Sequence, residues 1–401
     1  MGETQPPESA PTGPTRRSWR FWLGYAAYCA FCVVAVMGVA ELILRVGFGL
    51  PTGRFSNIVH IDPGQLLWPP SQRLEMDFGA VPYVVETNAL GFRGEEVSAV
   101  KPPGVVRIAA VGDSITDGFF VDNDATFPHL LQEHLTSQGC RAEVINAGKG
   151  GASIDHEYAI LSQKVIPLKP DLVLLTFYAN DICELQPTPR EKLLGVTEQP
   201  RPSTWKLTAY RTTLHSALAE FVMDGYFRAR FETYRHRDRR RSDATGPERY
   251  DIPEGSDHQE NVRIFRAAYS EQDGLCLNEP FSDEARRVID NYLYVLRHFD
   301  HLCREHEARL VFVYFPAYPQ VYAPDASSRI QEVLAEECGR LGVPWCDLTA
   351  SFRRRGPEEV LYLAPVDFHP TPAGNRLIAE TVGDFLLAEG LISSGDEHKM
   401  D

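Results

Sequence analysis

Four short segments of the chain carry the polar residues that could perform acyl transfer. Each segment follows an apolar run or precedes a helical pattern, so each is expected at the end of a secondary-structure element. Together they supply a hydroxyl, a glycine N–H, a side-chain amide and an imidazole beside a carboxylate, from Ser114, Gly148, Asn180, His369 and Asp367. Ester chemistry at a serine needs this set, because it requires a nucleophile, a base with an orienting partner and donors for an oxyanion.

Each of these residues also has an ordinary structural interpretation. Ser114 could cap a helix and Gly148 could occupy a turn. Asn180 could form an Asx-turn, and His369 could lead into a helix. Taken singly, the structural interpretation is favoured at each position. Taken together at one edge of a sheet, the residues favour an active hydrolase.

With these segments in this order, the sequence resembles the SGNH/GDSL hydrolase family, whose four motif blocks contribute Ser, Gly, Asn and His. The matching positions are Ser114, Gly148, Asn180 and His369. The resemblance covers residues 104–185 and 283–390, together with the turn at 88–94 and the apolar N-terminal segment. Each block alone is a weak signal, whereas four blocks in order, each at a predicted strand end or helix start, are a specific one.

The resemblance implies a role for each residue. Ser114 would attack the carbonyl carbon, and His369 would accept its proton and later protonate the leaving alcohol. Asp367 would hold the imidazole in the required tautomer. The backbone N–H groups of Ser114 and Gly148 and the side-chain amide of Asn180 would bind the oxyanion.

The acidic residue departs from the usual pattern of the family, which places two residues between Asp and His. Here position 366 is Val, and Asp367 lies two positions before His369, as in a subset of the family. A shift of one residue changes the direction of a side chain, so the orienting role depends on the local backbone. Asp113 and Asp181 are expected to bind loop amides or to cap helices.

The elements that must position these residues form a repeating βα pattern. Five apolar runs predict strands at 105–111, 142–146, 172–177, 310–315 and 343–346. Helical patterns lie near 125–137, 154–165, 284–302, 328–341 and 372–388. Apolar strands with helical crossovers predict a parallel sheet covered on both faces. The fold class is therefore α/β, a three-layer α/β/α, doubly wound, flavodoxin-like sheet of five strands, which binds ligands at the carboxyl ends of its strands.

The domain predicted over residues 104–391 contains an insertion at 186–282. Pro clusters, helical stretches and the lack of strong strand patterns predict that the insertion is mainly helical. Residues 228–241 within it are strongly basic. A solvated helix with local ion pairs is the favoured interpretation, and a surface against anionic lipid headgroups is the alternative. Residues 45–103 are predicted to be an extended juxtamembrane segment, with a strand near Val81 to Glu86.

The N-terminus has the features of a membrane anchor. Residues 1–20 and 392–401 are predicted to be disordered tails. The predicted transmembrane helix, 21–44, contains a run of about 20 residues without a charge, enough to cross a ~30 Å hydrocarbon layer. Arginines 16, 17 and 20 precede it, which predicts a cytoplasmic N-terminus and an extracytoplasmic catalytic domain, in the periplasm or at the cell surface. A cleaved signal peptide and a twin-arginine export signal are the alternatives.

The composition argues against other classes of function. A formal net charge of −15 is unsuited to general nucleic-acid binding, which needs a basic face. The cysteines outside the apolar N-terminal run are scattered without paired spacing, so free thiols are favoured over disulfides and a zinc site is not expected. The chain has no GxGxxG or GxxxxGK[ST] motif. No cofactor and no metal are therefore expected.

These observations predict a membrane-anchored, extracytoplasmic serine esterase or deacylase. Its substrate would be a small acyl ester or an acylated glycan or lipid of the cell envelope. An O-acetyltransferase acting on a surface polysaccharide is one alternative, because its chemistry is the same up to the acyl-enzyme. A catalytically inactive binding module with the same fold is the other. The acceptor molecule distinguishes the first alternative, and the effect of Ser114→Ala distinguishes the second.

Overall fold

The computed structural model of the chain describes residues 18–50, 52–53, 57, 60, 64–77, 81–185, 188–201, 203–230, 257–269 and 274–393. Two short antiparallel strands precede a parallel sheet. The strands are β1 (Arg73–Met76), β2 (Tyr83–Glu86), β3 (Val106–Gly112), β4 (Ala142–Gly148), β5 (Leu172–Phe177), β6 (Arg309–Tyr314) and β7 (Trp345–Asp347). The parallel sheet has the order β4-β3-β5-β6-β7, a doubly wound arrangement of the flavodoxin type. The predicted five-stranded α/β fold is confirmed.

Helices connect the strands and cover both faces of the sheet. In chain order the described helices are α1 (Trp19–Leu42), α2 (Ser114–Asp117), α3 (Phe127–Ser137), α4 (Ile154–Ile160), α5 (Asn180–Cys183), α6 (Thr204–Leu214), α7 (Ala217–Arg230), α8 (His258–Tyr269), α9 (Gly274–Leu277), α10 (Asp283–Glu305), α11 (Tyr318–Tyr322), α12 (Arg329–Leu341), α13 (Thr349–Arg355) and α14 (Pro372–Ala388). Alternate residues of β3 pack on opposite faces of the sheet. Ala109 and Val111 pack with α4, α10 and α12, whereas Ile108 and Ala110 pack with α3 and α14. Because both faces are buried, the strand is apolar throughout.

The register of the sheet brings distant segments to one edge. Gly112, the last residue of β3, pairs with Gly148 at the end of β4 and with Thr176 near the end of β5. When neighbouring parallel strands end in register, the loops that follow them begin side by side. The loops that begin at residues 113, 149 and 178 therefore start next to one another, although they are far apart in the sequence.

Residues 64–77 and 81–98 pack against the sheet domain. Trp68 and Val85 are fully buried in a cluster that also contains Phe120 and Leu363. The sequence predicted an extended segment that only leads to a domain starting at residue 104. The structure differs because these packing contacts join segments that are distant in sequence, and hydrophobic periodicity does not report such contacts. The strand predicted near residues 81–86 is present as β2.

Helices α6 to α9 form the described part of the insertion, and those described residues contain no strand. Most of the basic segment 228–241 lies outside the described residues, as do residues 1–17 and 394–401 of the predicted tails. Helix α1 continues through a π-helical turn, and the whole span Trp19–Gly47 is long and apolar enough to cross a membrane.

Candidate functional site

Ser114, His369 and Asp367 form a continuous chain of hydrogen bonds. His369 Nδ1 lies 2.5 Å from Asp367 Oδ1, and His369 Nε2 lies 2.8 Å from Ser114 Oγ. An ionised carboxylate can only accept, so Nδ1 carries the hydrogen and Nε2 is left to accept the hydroxyl of Ser114. Both distances lie within hydrogen-bond reach, as a nucleophile, a base and an orienting acid require.

Ser114 begins helix α2 immediately after the end of β3. Asp113 caps this helix, and its Oδ1 accepts the Ile115 N–H at 2.9 Å. A side chain at Gly112 would place a Cβ 2.3 Å from Thr116 Oγ1, so the tight turn from strand to helix requires glycine there. Burial raises the pKa of the Asp113 carboxyl, although its hydrogen bond from Ile115 opposes the shift. Ser114 itself keeps 8% of its surface exposed, whereas Asp113 is fully buried.

A tight loop accommodates the short spacing between Asp367 and His369. Asp367 Oδ1 accepts the backbone N–H of Phe368 at 2.7 Å and that of His369 at 2.9 Å, in addition to the imidazole N–H. The loop is closed by a bond from the Leu363 N–H to the His369 carbonyl at 3.0 Å. The carboxylate folds back over its own two following residues, as in an Asx-turn. The departure from the usual family spacing therefore does not separate the acid from the imidazole.

Two aromatic side chains that sequence reasoning missed hold the imidazole. The ring of Phe119 stacks on His369 with centroids 5.6 Å apart and planes at 22°. Phe120 meets the same imidazole edge-on at 5.2 Å and 71°. Such contacts restrict rotation of the His369 ring. The signal in the sequence is a pair of adjacent aromatic residues shortly after Ser114.

A buried polar network fixes the far end of α2. Arg93 donates to the carbonyl groups of Asp117 and Gly118, both at 2.7 Å. Trp68 Nε1 donates to Asp117 Oδ1 at 3.0 Å. Burial raises the pKa of the Asp117 carboxyl, and the Arg93 guanidinium opposes that shift. Segments that precede the sheet in sequence thus position the helix that begins with Ser114.

Gly148, the last residue of β4, and Gly151, in the loop that follows, differ in their hydrogen bonding. The N–H of Gly148 donates to Asn146 Oδ1 at 3.0 Å, so this donor is already used at the end of the strand. A Cβ at Gly148 would lie 2.1 Å from the Asp117 backbone N, so close packing of β4 against α2 accounts for this glycine. The predicted role of Gly148 as an oxyanion donor therefore conflicts with its hydrogen bond. Gly151, with φ +75°, and Ser114 have backbone N–H groups without an acceptor among the described residues.

Asn180 lies at the start of α5, directly after β5. Its side chain is a hydrogen-bonding neighbour of the Asp113 carboxyl, which places the amide beside the turn that carries Ser114. The amide nitrogen also lies 3.4 Å from Glu184 Oε1, a long contact, and the amide oxygen is buried without a partner among the described residues.

The carboxyl groups of Glu157 and Asp181 are buried next to Asp113, which precedes Ser114. Neither oxygen of Glu157 has a hydrogen-bond partner among the described residues, and the same holds for Asp181 Oδ1. Asp181 Oδ2 accepts the Tyr178 N–H at 2.9 Å, the loop-amide role expected from the sequence. Burial, followed by repulsion from neighbouring carboxyls that include Asp113, raises the pKa of both groups well above their usual range. Sequence reasoning missed Glu157, because an acidic residue in a helix is ordinarily exposed.

The described residues contain no group of three His, Cys, Asp or Glu side chains that could hold a metal ion. The cysteines are free thiols. The expectation that the chemistry needs no metal and no cofactor stays a prediction.

The chain was compared with known proteins. The family model of the GDSL-like lipase/acylhydrolase family matches residues 110–377. Similar solved structures include a lipolytic protein of the G-D-S-L family from Desulfitobacterium hafniense DCB-2, at 11% identity and TM-score 0.37, covering 70% of this chain and 99% of that chain. An acetyl xylan esterase is 14% identical at TM-score 0.37, covering 70% of this chain and 98% of that chain. An acetylxylan esterase from Geobacillus stearothermophilus is 13% identical at TM-score 0.39, with coverages of 70% and 94%. No curated protein sequence matches the chain.

Proposed function

The chain belongs to the GDSL-like lipase/acylhydrolase family and is a serine hydrolase that acts on ester bonds, and we propose that Ser114, His369 and Asp367 are its catalytic residues. The observation that carries the proposal is the unbroken hydrogen-bond chain from hydroxyl to imidazole to carboxylate, with steps of 2.8 Å and 2.5 Å. Such a chain prepares a serine for attack, because the base is already in contact with the proton that it must remove.

In the proposed reaction, Ser114 Oγ attacks the carbonyl carbon of an acyl ester while His369 Nε2 takes the hydroxyl proton. The imidazolium that forms is stabilised by Asp367, which stays ionised. The tetrahedral intermediate then releases the alcohol, which receives its proton from His369, and leaves an acyl group on Ser114. His369 then takes a proton from a water molecule as the water attacks the acyl carbon. The bond from this carbon to Ser114 Oγ breaks, Oγ takes the proton back from His369, and the carboxylic acid leaves.

The oxyanion of the tetrahedral intermediate needs donors on the side of the carbonyl opposite the base. We assign this role to the Ser114 N–H and the Asn180 amide. Gly148 is left out of this set, because its N–H is bonded to Asn146.

We further propose that the enzyme is anchored by α1 and acts outside the cytoplasm on acyl esters of envelope glycans or lipids. The apolar span Trp19–Gly47 and the arginines that precede it support this topology. Alkaline carbonate extraction of membranes, followed by N-terminal sequencing, tests the anchor. An intact N-terminus in the membrane pellet is expected, whereas a mature chain that begins beyond residue 40 would identify a cleaved signal peptide.

A fluorophosphonate probe tests the nucleophile. The probe should label the full-length protein at Ser114, and Ser114→Ala should lose both labelling and hydrolysis of p-nitrophenyl acetate. Ser153 provides a matched control, because its Oγ lies 3.3 Å from His156 Nδ1 and also contacts Asp155. Ser153→Ala should keep both signals. A folded wild-type protein that stays unlabelled, or a label that maps to Ser153, would contradict the proposal.

A further inference from the structure

The end of helix α1 is attached to the start of helix α7 by polar contacts. The carboxylate of Glu41 accepts the N–H groups of Ala217 and Leu218, both at 2.9 Å. Arg45 pairs with Glu41 at 2.8 Å and donates to the His215 carbonyl at 3.3 Å. Because Glu41 and Arg45 lie near the C-terminal end of the span Trp19–Gly47, α7 begins near the level where the proposed membrane anchor ends.

Helix α7 exposes three large apolar side chains and buries its two acidic residues. Glu220 and Asp224 are only 2% and 8% exposed, whereas Phe221, Val222 and Tyr226 are 58%, 58% and 56% exposed. At about 100° per residue, Val222 and Tyr226 lie roughly opposite the acidic pair, and Phe221 lies between the two sets. A surface helix of a soluble domain normally has the reverse arrangement, with its apolar stripe toward the core. The outward side of α7 is therefore suited to an apolar environment.

The outward side of α7 has the composition of a membrane-interface helix. We define the α7 face as Phe221, Val222 and Tyr226, a sector of the helix that contains no charged residue. The neighbouring helix α6 adds two exposed aromatic residues, Trp205 at 69% and Tyr210 at 41%. Trp and Tyr are enriched at the boundary between lipid and water, where an apolar ring and a polar group are both satisfied. A scattered apolar residue needs no explanation, but a contiguous exposed set indicates a contact surface.

We propose that the α7 face lies in the interfacial layer of the same bilayer that α1 spans, and so forms a second lipid contact. This inference rests on the proposed anchoring by α1. Lipid is favoured as the occupant because the hydrogen bonds of Glu41 connect α7 directly to the anchor, so its apolar side starts at the membrane surface. An amphipathic helix there gains free energy by burying its apolar side at the boundary between headgroups and acyl chains. Two contacts, unlike one, restrict the tilt of the catalytic domain above its substrates.

Photocrosslinking of the full-length protein in lipid nanodiscs tests the inference. Benzoylphenylalanine is placed singly at Val222, at Val100 or at Val34, in nanodiscs that contain alkyne-tagged phosphatidylglycerol and phosphatidylethanolamine. All three valines are exposed, at 58%, 78% and 68%, but only Val222 belongs to the α7 face and only Val34 belongs to α1. Equal midpoints of thermal unfolding show that each labelled protein is folded.

The expected result is strong lipid labelling at positions 34 and 222, with several-fold less at position 100. Labelling at 34 but only background at 222 would overturn the α7 contact and leave the anchor intact. Background labelling at both 34 and 222 would instead overturn the anchoring itself. Crosslinks from position 222 to a second copy of the chain, in place of lipid, would overturn the inference by showing a protein partner on this face.

Discussion

The carboxyl groups of Asp367 and Glu157 lie in opposite electrostatic environments on two sides of the candidate site. Asp367 is half-buried and accepts three N–H groups, from the imidazole of His369 and from two backbone amides. Glu157 is fully buried, and neither of its oxygens has a partner among the described residues. N–H donors stabilise the ionised form, whereas burial without donors favours the neutral form. Burial without donors therefore raises the pKa of Glu157, whereas three N–H groups contact the Asp367 carboxylate.

The comparison distinguishes the Asp367 carboxyl, which takes part in the proposed reaction, from the Glu157 carboxyl, which stays neutral. The negative charge of Asp367 is needed when His369 becomes an imidazolium. Next to the sheet edge, charge on Glu157 would add to that of Asp113, Asp155 and Glu184, and the raised pKa of Glu157 reflects this repulsion after the larger effect of burial. Replacing the Asp367 carboxyl and replacing the Glu157 carboxyl should therefore have different effects on activity.

The largest effect is expected from Asp367→Asn. The amide keeps the shape of the side chain but removes the charge that stabilises the imidazolium and selects the tautomer, so kcat should fall by about 10⁴-fold. The measurement is steady-state hydrolysis of p-nitrophenyl acetate by purified protein. Glu157→Gln is the matched control, and its kcat should stay within about ten-fold of the wild type. Equal losses in the two variants would contradict the division into two regions.

A smaller effect is expected from Asn180→Ala, which removes a proposed oxyanion donor while leaving the hydrogen-bond chain of Ser114 and His369 in place. We expect kcat to fall by roughly 10²–10³-fold with little change in KM, because the lost interaction forms in the transition state. Labelling of Ser114 by the fluorophosphonate probe should persist at a reduced rate. A rise in KM at unchanged kcat would instead identify Asn180 as a residue that binds the ground state.

The smallest expected effect is a change in stability from Glu157→Gln. The folded state keeps the Glu157 proton at pH values where the unfolded chain has released it, since the pKa is raised in the folded state from an ordinary value of 4.5. The contribution of this group to the free energy of unfolding should therefore be greatest below pH 4.5 and decrease as pH rises above it, by up to about 1.4 kcal/mol per pH unit. The variant should show a shallower decrease and greater stability at pH 8.

Denaturant unfolding between pH 4 and 8 checks this expectation. Asp181→Asn provides a second test on the same side, because the Asn oxygen can still accept the Tyr178 N–H. It should also make the decrease shallower. A steeper decrease in either variant would show that the carboxyl group is ionised in the folded protein and that the comparison with Asp367 fails.

Much of the fold could be predicted because local patterns determine it. The apolar run Leu172–Phe177 and the helix Pro372–Ala388 have the bounds read from the sequence. Continuous apolar strands that alternate with helices identify a covered parallel sheet. The residues at its strand ends could be named for the same reason, because Ser114 and Asn180 each follow a strand whose limits are visible in the sequence.

Other features of the site could not be read in this way. The sequence does not give the backbone conformation that directs the Gly148 N–H to Asn146, and it does not show that Trp68 and Arg93 reach across to α2. The two aromatic rings on His369 come from a loop about 250 positions earlier, a separation that periodicity does not bridge.

The sequence by itself determined the fold class, the family and the residue types available for ester hydrolysis, because these depend on local periodicity and on motifs within a few residues. The tertiary structure decided which of those residues meet. It brings Asp367 to His369 despite the short spacing, occupies the N–H of Gly148, and buries Glu157 without donors. The first two outcomes depend on the local backbone conformation, and the third depends on desolvation between segments that are remote in the chain; all three arise only when the chain is folded.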